Sequence, residues 1–158
     1  MAVSTATIIS DTVLFLRNYL CNNITDPINR RDKDKWILTS YPKRAVSYPT
    51  ITIKNSGLEF SERLGMNQEK YLVTLDLEIR VWARNEIERD SLSQSIITYL
   101  NSNQFPYTTT STSSNMELHD LRVNNVIDID EIKGIGGATQ TVLSKIISIT
   151  YKYLYGFN

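Results

Sequence analysis

The sequence predicts an α+β fold: a mostly antiparallel sheet of five or six strands packed by two main helices. Three observations predict it. Two segments, near residues 8–20 and 85–100, carry apolar residues at three- and four-residue steps, the period of a helix with one buried face. The stretches between and after them alternate apolar and polar residues, the period of a strand. Short turn-forming clusters separate those stretches, so most neighbours in sequence can pair as hairpins.

Ser4 or Thr5 can cap the first helix, and Ile9, Val13, Leu16 and Leu20 fall on one face that Ile8, Phe15 and Tyr19 widen. Such a helix is expected to pack on a sheet. Asp26-Pro27 reads as a cap followed by proline at the first helical position, giving one short turn. The charged run at 30–35 is expected to be a solvated loop. Trp36-Ile37-Leu38-Thr39 predicts a short strand, and Tyr48-Pro49-Thr50-Ile51-Thr52-Ile53-Lys54 predicts another. Pro42 and Pro49 cannot donate a ladder hydrogen bond and are expected at a strand start or a sheet edge. Residues 57–64 are expected to pair with 70–83 across the loop at 65–69.

The segment 70–83 is the clearest strand. Val73, Leu75, Leu77, Ile79 and Val81 point one way; Thr74, Asp76, Glu78 and Arg80 point the other. One face is then buried, and the other is wet or meets another subunit. Asn85 with Glu88 three residues on resembles a capping box and opens the second helix, whose apolar stripe is Leu92, Ile96, Tyr99 and Leu100. The Ser/Thr tract at 108–114 has no means of burying itself, which predicts a flexible loop near 106–115. A strand with Leu121, Val123, Ile127 and Ile129 on one parity follows. A turn at Gly134-Ile135-Gly136-Gly137 then leads to a final strand from Thr141 to Tyr155. The whole chain, 1–158, reads as a single domain.

Composition narrows the function classes. Seventeen basic and seventeen acidic residues cancel, so no net field draws the chain to nucleic acid or to an anionic membrane. Cys21 is the single cysteine, which excludes an intrachain disulfide and a multi-cysteine zinc site. It is expected to pack as a small hydrophobe. No basic leader precedes the first apolar stretch, which Asp11 and Arg17 interrupt too early for a membrane span. A soluble intracellular product, or a particle component assembled inside a cell, is expected.

No catalytic set emerges. His119 is the only histidine and reads as an exposed loop residue beside Asp120. Asp128, Asp130 and Glu131 lack the spacing of an EF-hand, and Gly134, Gly136 and Gly137 lack the Lys-Ser/Thr of a phosphate loop. No catalytic, cofactor-binding or metal-binding residue is therefore assigned, and no cofactor is expected. Tyr151, Tyr153 and Tyr155 share one parity of the last strand and could stack bases. Ile147 and Ile149 share that parity too, which favours a core or an interface.

The order of motifs carries a resemblance. An amphipathic helix leads to a short strand, then Ser40-Tyr41-Pro42-Lys43-Arg44, then Tyr48-Pro49-Thr50-Ile51-Thr52-Ile53. A long hairpin strand ending Leu77-Glu78-Ile79-Arg80-Val81-Trp82-Ala83 runs straight into a capped helix. This order resembles phage tail terminator (tail completion, head-tail joining) proteins, most specifically over residues 36–100. The resemblance implies a small α+β fold and a structural virion protein, not an enzyme, assembled in the host cytoplasm into the tail or neck. It implies a homo-oligomeric ring of six subunits that caps the tail tube protein and ends tube growth. The ring would present a surface to the head-completion or connector protein, and DNA would pass its lumen without specific binding. No membrane is involved. The Ser/Thr tract at 108–114 is not part of the pattern.

A ring needs two different, complementary patches on each subunit. Residues Arg30, Arg31, Lys33, Lys35, Lys43 and Arg44 against Asp32 and Asp34 make a local +4. Residues Glu117, Asp120, Asp128, Asp130 and Glu131 against Arg122 make a local −4. These are the candidate subunit-interface residues. Asp76 and Glu78, on the wet face of their strand, are the candidate lumen-facing acids, since a lumen that passes DNA should not grip phosphate. The acidic 128–131 segment could serve there instead. The sequence leaves two alternatives open: another neck, connector or baseplate component, and a single-strand nucleic-acid binding module built on the C-terminal tyrosines.

Overall fold

A computed structural model describes residues 7–28, 36–40, 47–64, 70–101, 116–135 and 138–156. The elements run in the order α1 (Ile8–Asn23), β1 (Ile37–Leu38), β2 (Thr50–Leu64), β3 (Lys70–Ala83), α2 (Glu86–Leu100), β4 (Met116–Ile135) and β5 (Ala138–Gly156). The five strands form one sheet in the order β1-β2-β3-β5-β4. Only the short β1–β2 pair is parallel; the other three pairs are antiparallel. Two helices on a mostly antiparallel five-stranded sheet make the α+β class that the sequence predicts.

Alternation in β3 sets the core. Val73, Leu75, Leu77, Ile79 and Val81 are all buried, and opposite them on β5 lie Tyr153, Tyr151, Ile149, Ile147 and Lys145. Burying one such aliphatic side chain is worth about 1.5–3 kcal/mol, so this row is the main reason the helices stay on that face. Helix α1 contributes Leu16 and Leu20, both fully buried, with Ile8 and Val13 beside them.

Polar bonds then fix the position of α1. The Thr12 hydroxyl donates to Ile8 O (2.6 Å) and shares a 2.8 Å hydrogen bond with the Tyr153 hydroxyl. Arg17 Nε donates to Ile37 O of β1 (2.8 Å), and Tyr19 Oη donates to Tyr99 O of α2 (3.2 Å).

Helix α2 starts as its capping signal requires. Asn85 Oδ1 accepts from the Glu88 N–H at 2.8 Å. The box closes one residue early, however: Glu88 accepts from the Arg84 N–H (3.0 Å) and pairs with its guanidinium. The buried stripe is Arg89, Leu92, Ser93, Ile96 and Leu100, so a cation sits where an apolar residue would extend it.

Several local expectations change. The first helix has Thr7 at its N-cap position, while Ser4 and Thr5 lie outside the described residues. Asp26-Pro27 opens no helix: Asp26 Oδ1 accepts from the Ile28 N–H at 2.8 Å, a local turn closed by the side chain. The stretches 48–54 and 57–64 join into the single 15-residue β2, and Pro49 sits just before its start. An extra residue, Ser56, lets the ladder pass from Asn55↔Leu77 to Gly57↔Asp76 without ending the strand. Pro42, the 30–35 run and the 106–115 tract lie outside the described residues.

The fourth strand shows the largest correction. Its ladder steps from Val123↔Ile149 to Asn125↔Ser148, so Asn124 is an inserted, bulged residue. Leu121 and Val123 therefore face the helices, whereas Ile127 and Ile129 pair with Ile146 and Ser144 on the opposite face. A strict period of two cannot survive an odd insertion.

Candidate functional site

A charge cluster joins α2 to the β4–β5 hairpin on the helix-covered face. Its centre is Arg89, whose side chain keeps only 7% of its exposure. Arg89 Nη1 lies 3.0 Å from Asp130 Oδ1, and its Nε lies 3.1 Å from Asp90 and 3.6 Å from Asp128. Lys145 Nζ adds 2.8 Å and 3.2 Å contacts to Asp90 and Asp128. Burial alone would lower the Arg89 pKa; the hydrogen bond to Asp90 and the charges of Asp128, Asp90 and Asp130 outweigh it and raise it. The hydrogen bond from Lys145, then that from Arg89, lowers the Asp90 pKa, and the bond to Asp90 raises that of Lys145. The cluster is a charged fastener between α2 and the hairpin.

The other face of the sheet carries neither helix. Lys54 Nζ lies 3.3 Å from Glu78 Oε1. Asp76 Oδ1 accepts from Thr150 Oγ1 at 2.8 Å, and Thr150 in turn accepts from Asn124 Nδ2, so one polar chain crosses β3, β5 and β4. Arg80 lies over the Trp82 ring at 3.9 Å, reaches Glu131 Oε1 at 2.8 Å and donates to Ser144 Oγ at 3.0 Å. Side chains on this face are tied to one another in rows, which holds their charges in a fixed pattern.

The two sheet edges differ. At one, β1 covers only Ile51 and Thr52 of β2, and the ladder beyond them has no outer partner among the described residues. A groove of about 390 Å³ opens there beside α1, lined by Ile9, Val13, Leu14, Thr39, Lys54 and Asn55 with Ser10 at its rim. At the other edge runs β4, 20 residues long and paired only with β5. Val126 and Ile127 stand exposed at its middle, at 39% and 46%. Phe60 and Ile87 are the other large apolar side chains exposed among the described residues.

The predicted site residues distribute as follows. Asp76 and Glu78 lie on the face without helices. Asp128 and Asp130 lie on the helix-covered face and Glu131 on the other, and all three have ion-pair partners within the chain. Three of the five acids of that segment (Asp128, Asp130, Glu131) thus meet cations from outside it, Arg80, Arg89 and Lys145. The backbones of Glu117 and Asp120 lie on β4, opposite Leu154 and Lys152. Arg30, Arg31, Lys33, Lys35, Lys43 and Arg44 lie outside the described residues.

His119 is on a strand, not in a loop, at a second inserted position between Leu118↔Tyr153 and Asp120↔Lys152. Tyr151 and Tyr153 are buried on the helix side and stacked at 6.0 Å, so neither offers a ring to a nucleobase. Cys21 is half-buried against the core. Sequence reasoning missed Arg89, Lys145, Arg80 and Trp82. The only signal was Arg89 three positions before Leu92, on the stripe that also holds Ile96.

No group of three metal-ligating side chains occurs among the described residues, and no helix there is long and apolar enough to cross a membrane. Comparison with protein-family models gives no match, and comparison with curated proteins gives none either.

Proposed function

We propose that the chain is a structural subunit of a phage tail, forming a ring, six-membered in the resembling family, that caps the tail tube, ends its growth and joins it to the head connector. The observation that carries the proposal is the order of elements over residues 36–100. There β1, the β2–β3 hairpin and the Asn85-capped α2 follow one another as in the pattern that resembles tail terminators. The division of the sheet supports it further: one face is closed by helices, while the other holds Asp76 and Glu78 in fixed polar rows. A surface of that kind suits a lumen that lets DNA pass, because fixed carboxylates repel phosphate. The role needs no catalytic group and places the protein in the virion.

The test is the mass of the purified protein across a concentration series, with negative-stain images of the largest species. Six-fold rings with an open centre are expected, either in solution or on preformed tail tubes. A protein that stays monomeric at every concentration and ignores tubes would overturn the proposal. Binding to isolated connectors but not to tubes would move it to another part of the neck.

A further inference from the structure

The sheet ends in two unlike edges. The β2 edge opens where β1 stops, and the apolar groove beside α1 begins at the same point, between Thr39, Lys54 and Leu14. The β4 edge carries an exposed apolar knob, Val126, on the helix-covered side, where it pairs with Ile147.

Strand direction agrees with this match. Strand β4 runs antiparallel to β5, β5 to β3 and β3 to β2, so β4 runs opposite to β2. Continuing the sheet from one copy to the next without turning it over therefore sets β4 antiparallel to the neighbour's β2. That is the pairing which tolerates one wet face. The helices of all copies then share one side, and Asp76 and Glu78 of all copies share the other. The contact joins different surfaces, so it repeats head to tail, as a ring requires.

We infer that the outer edge of β4 in one copy adds to the open stretch of β2 in the next, seating Val126 in the groove between α1 and β2. The inference rests on the ring reading and names its subunit contact. Backbone hydrogen bonds along the two edges hold the copies together, and Val126 against Leu14 sets the register.

The test uses the full chain under conditions where rings form, in solution or on tubes. Proteins carrying Leu14→Cys and Val126→Cys singly are mixed, oxidised and mapped by mass spectrometry. A disulfide joining the two substituted positions in different chains is expected. Independently, Val126→Glu should raise the concentration needed for half-assembly by about tenfold or more. Ile87→Glu, also at an exposed apolar residue but on α2, should leave it unchanged. Urea midpoints check that both variants still fold. Rings that form normally with Val126→Glu and give no such disulfide overturn this contact while leaving the ring reading intact. Lost assembly without the disulfide also overturns it, by moving Val126 to another surface. A link from the Leu14 position to a segment of its own chain would show the groove to be filled internally and overturn it too. A chain that never assembles overturns the ring reading and this contact together.

Discussion

The two faces of the sheet are built from alternate residues of the same strands, yet they follow different rules. On the helix side of β3, five consecutive inward positions are aliphatic and essentially inaccessible. On the other side the positions between them, Thr74, Asp76, Glu78 and Arg80, are polar, and the last three are bonded sideways to neighbours on other strands. The first face obtains its free energy from water release. The second obtains little net stability, because exposed ion pairs contribute only about 0–1 kcal/mol. What it gains is order: a charge pattern that stays put. The difference teaches that one face specifies the fold and the other is available for contacts outside it.

Neighbouring residues give the sharpest way to break that contrast. Leu77→Ala should cost about 2–5 kcal/mol in urea unfolding, whereas Glu78→Ala should cost under about 1 kcal/mol. Equal losses would mean that the face without helices is also packed.

The next effect is alkaline. Burial pushes the Tyr153 phenol up to about 12 from 10.0, with the Thr12 hydrogen bond pulling the other way. The unfolded chain therefore ionises first, and stability that is full below the unfolded value falls as pH rises through this window, by about 2–3 kcal/mol. Tyr153→Phe should flatten that fall in unfolding measured across the window; an unchanged slope would place the titration elsewhere.

The ion-pair cluster tests whether the helix side depends on oil alone. Arg89→Met keeps the apolar stem but strands Asp130 and leaves Asp90 and Asp128 to Lys145 alone, and should cost about 1–3 kcal/mol. A double-mutant cycle with Asp130→Asn should show coupling of at least about 0.5 kcal/mol.

The smallest effect is acidic. Asp90 has its pKa lowered below 3.8, so its contribution is present above that value and lost as pH falls through the depressed folded one. Asp90→Asn should make acid unfolding less steep over that interval, read by circular dichroism.

Much of the fold was legible because β3 and α1 announce themselves locally. Val73 to Val81 alternate without interruption, and Leu16 and Leu20 sit one helical turn apart. The Asn85 cap was legible for the same reason, since its bond reaches only three residues. The charge cluster was not. Arg89 finds Asp130 across 41 positions and Lys145 finds Asp90 across 55, distances at which sequence offers no pairing rule. Two acids of that segment, Asp128 and Asp130, are in the fold the other half of a fastener. The faces of Ile127 and Ile129 were misread for a third reason: the sequence carries no mark of the residue inserted before them.

That inserted residue makes β4 tolerant of a change in length at one point. Removing Asn124 alone would leave Val123↔Ile149 followed directly by Asn125↔Ser148, an unbroken alternation. Asp128 and Asp130 would keep their side of the sheet and their cations. What would be lost is the hydrogen bond to Thr150 and the local bend of the bulge. Relatives of this chain should therefore differ in length by one residue here and still present the same faces.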